Sequence, residues 1–83
     1  MLEPGTVVTL GLDLRDEEGL VLRRGTRGKV QSQDGGLVTV AFYVPDDTPG
    51  LTPGQSGLLA PGVILRTVPL ARLSLVNRFV STQ

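Results

Sequence analysis

Cysteine, histidine and tryptophan are all absent from the 83 residues. The first absence excludes a disulfide framework, a thiolate metal site and a cysteine nucleophile. The second removes the most frequent general base and metal ligand, so a zinc site would have to be built from carboxylates alone. Aromatic side chains are scarce, with only Phe42, Tyr43 and Phe79, which leaves few ring faces for stacking ligands. Net charge is also missing: eight basic side chains balance eight acidic ones. The whole molecule therefore exerts no long-range pull on nucleic acid or anionic lipid, and any such binding has to be local. No basic segment followed by an apolar run is visible near the N-terminus, and no stretch reaches membrane-spanning length, so a cytoplasmic setting is the expectation.

What the chain does have is leucine and valine in alternation. Its length allows one core and no second domain, and a domain of this size gains from association with itself or a partner. Val8, Leu10, Leu12 and Leu14 recur at every second position, as in a half-buried strand. Asp13 to Gly25 reads as a loop with strand-like arms, and Gly25-Thr26-Arg27-Gly28 as a turn. A short strand over Lys29 to Gln33 follows, with Val30 inward. Asp34-Gly35-Gly36 marks a hairpin turn. Leu37 to Val44 is the clearest strand: Val38, Val40, Phe42 and Val44 share one face, and Leu37, Thr39, Ala41 and Tyr43 the other. Val63 to Val68 and Leu73 to Val76 are further strands, separated by one turn of 3₁₀ helix at Pro69 to Arg72. Between them, residues 45–62 hold four prolines and four glycines in eighteen positions. Such a segment forms neither a helix nor a central strand, and a loop of this length is commonly functional.

The order is an all-β fold of five strands. The stretches Pro4-Gly5-Thr6-Val7-Val8, Arg24-Gly25-Thr26-Arg27-Gly28-Lys29-Val30, Leu37-Val38-Thr39-Val40-Ala41-Phe42 and Val68 to Val76 resemble small bacterial SH3-like proteins. Similar spacing occurs in the KOW motif of ribosomal and transcription-elongation proteins, in the peripheral SH3-like subunit of photosystem I, and in compact bacterial families of unassigned function. The resemblance implies a five-stranded SH3-like barrel over residues 1–76, with a long Pro/Gly-rich insert at 45–62 between the third and fourth strands and a tail at 77–83. It implies a docking module or accessory subunit, or, on the KOW side, contact with RNA. It is specific for fold and weak for function. The aromatic row that grips proline-rich peptides in signalling SH3 domains is missing, so PxxP binding is not expected.

Three constellations could carry a function. Arg23, Arg24, Arg27 and Lys29 place four cations within seven residues. They form either a phosphate-contacting patch for nucleic acid or a solvated loop neutralised by Asp16, Glu17 and Glu18. In the insert, Leu51, Leu58 and Leu59 are either an exposed patch for a protein partner or a cap on the end of the core. On the outer face of the Leu37 to Val44 strand, Leu37, Ala41 and Tyr43 invite cover. A partner, a second copy, the insert, or the tail with Phe79 and Val80 could provide it. Catalysis is not expected: Ser32, Ser56, Ser74 and Ser81 have no histidine to activate them, and Lys29 stands in a polar turn. Asp46 and Asp47 make a poor cation cage. The sequence reading is thus a non-catalytic protein-interaction module or homo-oligomer with no cofactor, metal or small-molecule substrate, and its alternative is a nucleic-acid contact through the cation cluster.

Overall fold

The computed structural model describes residues 2–76. Eight strands and one 3₁₀ turn follow each other as β1 (Val7–Leu10), β2 (Leu14–Arg15), β3 (Val21–Leu22), β4 (Arg27–Asp34), β5 (Leu37–Tyr43), β6 (Leu58–Ala60), β7 (Val63–Pro69), the 3₁₀ turn Leu70–Arg72, and β8 (Leu73–Leu75). Six of them form one antiparallel sheet in the order β6-β7-β5-β4-β1-β8, and β2 and β3 form a separate two-stranded ribbon. Hydrogen bonding does not close the large sheet into a barrel; β6 and β8 are its two ends.

Strand β5 is the axis of this arrangement because both of its edges are paired, to β4 and to β7. Alternation along it puts Val38, Val40 and Phe42 inside, where they meet Val8, Leu10, Val30, Ile64, Val68 and the ribbon residues Leu20 and Leu22. The β4–β5 hairpin turns over Gly35 and Gly36, between paired Asp34 and Leu37, which is the tight connection glycine favours. A bulge between Val30 and Ser32 lets Val30 and Gln33 keep their separate partners, Val40 and Val38.

The sequence pattern and the fold part company in three places. The first alternating run is broken after Leu10: Gly11 N–H donates to Arg72 O at 2.7 Å, the chain bends, Leu12 is left exposed, and Leu14 begins the ribbon. Ala41, which alternation puts on the outer face with Leu37 and Tyr43, is buried where they are exposed; its ladder neighbours are Lys29 and Leu65. The insert also contributes a strand of its own, β6, on the sheet edge, where proline and glycine on either side are tolerated. The tail 77–83, and with it any cover from Phe79 and Val80, lies outside the described residues.

Candidate functional site

The insert is bound to the rest of the domain at both ends and in the middle. Val44 N–H donates to Gly62 O at 2.8 Å, Val21 N–H to Pro49 O at 2.9 Å and Leu65 N–H to Gly57 O at 2.8 Å. Gly50 lies so close to the backbone of Gly19 that no side-chain carbon would fit between them. Leu51 and Leu58 are half-buried against the core, whereas Leu59, at 59% exposure, faces solvent. Of the three leucines expected to act together, two serve as a cap and one remains available. All three line an apolar groove of about 420 Å³ with Pro53, Ala60 and Pro61, and Asp46 is its charged member. Gln55 folds beneath the segment at 8% exposure: its Oε1 accepts the Thr52 N–H at 3.0 Å, and its Nε2 finds no partner among the described residues.

Arg66 explains how the insert and the ribbon are held to the sheet. It sits on β7 between Ile64 and Val68 with the parity of the core-facing residues, opposite Val40. A cation there has to find an anion. Its Nε donates to Asp16 Oδ2 at 2.7 Å, its Nη2 to Glu18 Oε1 at 3.1 Å and its Nη1 to Ser56 O at 2.6 Å. One guanidinium thus joins β7, the β2–β3 turn and the insert. Asp16 also accepts the N–H groups of Glu18 and Leu20 through Oδ1, at 2.9 and 3.0 Å. Burial pushes the Asp16 carboxyl up, but the Arg66 hydrogen bond, the two backbone N–H groups and the guanidinium charge outweigh it, and the net shift is downward.

The sign for stability follows directly. A carboxylate whose folded pKa lies below its unfolded value of about 3.9 contributes stability that is complete above that value and is lost as pH falls through the folded one. The urea midpoint of the native chain is therefore expected to drop on acidification below about pH 4. Asp16→Asn, which keeps Oδ1 for the turn, should flatten that drop. An identical pH profile for the two proteins would remove Asp16 from the account of acid stability.

Because Arg66 engages Asp16 and Glu18, these acids do not neutralise the cation cluster as one sequence reading has it. The ion pairs among the described residues are the two made by Arg66. Arg23, Arg24, Arg27 and Lys29 are all exposed. Arg23 and Arg24 sit in the β3–β4 connection, where Asp13 Oδ1 accepts the Arg24 N–H at 2.7 Å. Arg27 and Lys29 project from the outer face of β4. Leu37 and Tyr43, paired in the sequence reading as one apolar surface, stand at opposite ends of β5, facing Pro69 and Val63 respectively. Along the strand they are roughly 20 Å apart, with buried Ala41 on the same parity between them. Tyr43 instead lines a second groove, of about 320 Å³, with Arg23, Thr26, Pro45, Asp47 and Pro49 among its walls.

Among the described residues no cluster of three or more His, Cys, Asp or Glu side chains is placed to hold a metal ion, and no helix is long and apolar enough to cross a membrane. Comparison with family models, curated proteins and solved structures gives no match to this chain. Function therefore has to be argued from the two grooves and the cation face.

Proposed function

We propose that the chain is a non-catalytic protein-interaction module of the cytoplasm, an accessory element of a larger assembly built on an SH3-like framework. The strand order supports that framework: β1 lies between β4 and the last strand β8, a long hairpin follows β1, and a one-turn 3₁₀ helix precedes β8. The observation that carries the functional reading is the groove over β6, because it joins two recognition elements. Strand β6 ends the sheet, so its outer edge has no strand partner among the described residues and is open to an incoming extended chain beyond Leu58, whose N–H donates to Gln55 O at 3.2 Å. Beside that edge lie Leu59 and the flanks of Leu51 and Leu58, which take apolar side chains from the same segment. Asp46 at the rim favours a partner with a cation next to its apolar residues. The occupant is thus an extended apolar segment of another protein.

Capture on the tagged chain tests this. Leu59→Asp should abolish retention of a stoichiometric partner protein while changing stability by no more than about 0.5 kcal/mol, because Leu59 makes no core contact. Leu58→Ser, by contrast, should cost about 1–2 kcal/mol, since that side chain is half-buried against the core. A partner retained equally by native chain and Leu59→Asp would place the contact elsewhere. Self-association lost on the same substitution would make a second copy the occupant.

A further inference from the structure

The second groove joins residues that the sequence keeps apart. Strand β4 pairs with β5 so that Gly28 faces Phe42 and Lys29 faces Ala41. Continued one residue beyond its last pair, that register brings Arg27 level with Tyr43, and both are exposed. Tyr43 is 44% exposed, and its groove is also lined by Arg23 and Thr26. The sole tyrosine of the chain therefore shares its groove with Arg23 and its face of the sheet with Arg27 and Lys29, three cations that form no ion pair among the described residues. An accessible ring face bordered by cations is the pairing that holds an unstacked base and its adjoining phosphates. Two acids lie nearby. Asp13 accepts the Arg24 N–H, and Asp47 also lines the groove.

We infer that this face binds single-stranded nucleic acid, with one base stacked on Tyr43 and the backbone running along Arg23, Arg27 and Lys29. A duplex has no free base to offer, so it engages only the cations. The site is separate from the β6 groove: the lining residues of the two grooves have no member in common.

Tyrosine emission is the direct readout, because the chain has one tyrosine and no tryptophan. Titration with unlabelled single-stranded RNA and DNA oligonucleotides, corrected for absorption with free N-acetyltyrosinamide, should quench that emission saturably. Anisotropy of a labelled oligonucleotide should show affinity falling about 20-fold between 50 and 200 mM salt, as expected for three phosphate contacts to a single strand. Tyr43→Ala should weaken binding at least about fivefold and Tyr43→Phe should restore it. Arg27→Glu with Lys29→Glu should abolish it, and Leu59→Asp should leave it unchanged. The RNA and DNA arms show which strand is preferred. Equal binding by Tyr43→Ala, equal affinity for blunt duplex, or absence of quenching would each overturn the assignment. Failure of Leu59→Asp to affect protein capture would count only against the β6 reading.

Discussion

Gly50→Ala is expected to lower stability by about 3–4 kcal/mol, roughly 1–2 for forcing a side chain into the left-handed region and the rest for a collision in a packed site. Gly50 has φ +81°, and a β-carbon there would run into the carbonyl of Gly19. Both partners are backbone, so neither can turn aside without moving the insert away from the ribbon. A chain of this size has about 4–12 kcal/mol in total, and the substitution should depress the melting midpoint by about 15–25 °C. Gly54→Ala is the control: its φ is +76° with nothing within 4 Å of the added carbon, so it carries the conformational cost alone. The difference between the two melts isolates the collision. Near-equal melts would mean that the insert lifts off without consequence for the core. In that case the Val21 amide, which donates to Pro49, should lose its protection from hydrogen exchange while the β5 amides keep theirs.

Arg66→Ala comes second in size, at about 2–3 kcal/mol. Removing one partner of a fully buried ion pair commonly costs more, but Asp16 and Glu18 keep part of their water, with side-chain exposures of 20% and 47%. The loss has three parts: Asp16 is left without its cation, Ser56 O without its donor, and a gap opens beside Val40. A double-mutant cycle with Asp16→Asn should give a coupling of about 1–2 kcal/mol. Arg66→Ala should also weaken capture of a protein partner at the β6 groove, although Arg66 is not among that groove's lining residues, because Ser56 and Gly57 lead directly into β6. Unchanged stability and an additive cycle would reduce the guanidinium contacts to surface decoration.

How much of this could be read from the residues depends on periodicity. Strand β5 and the inward set Val38, Val40 and Phe42 were legible, because alternation of period two over seven residues has no competing explanation. Val30 followed by the same logic, and Val63 to Val68 was legible as a strand. The two residues of β2 and the two of β3 were legible only as strand-like arms of a loop, since neither is long enough to show a period. Strand β6 was hidden by the prolines and glycines around it. Arg66 was missed altogether, yet a signal existed: it shares parity with Ile64 and Val68, and a cation in an apolar row requires an anion from elsewhere in the chain. Asp16 and Glu18 were instead assigned to the cations nearest in sequence. The meeting of Tyr43 and Arg23 in one groove depends on how the β3–β4 connection packs against the end of β5, which no local pattern encodes.

Strand β1 is held on one side by β4 and on the other by β8, with Val8 opposite Leu75 and Leu10 opposite Leu73. The clamp adds a second distant link, from Arg66 back to Asp16. Contacts of such long sequence separation require large loops to close before they contribute, which slows folding. They also fix its timing during synthesis. While the polypeptide is still being extended, Val8 and Leu10 have only one neighbouring strand, and the open side of β1 is available to other nascent chains. Only when β8 has cleared the ribosome can that side be covered. The domain is thus committed to completing its structure after translation of β8, and a translational pause before residue 73 should prolong the interval in which chaperones have access to the uncovered strand.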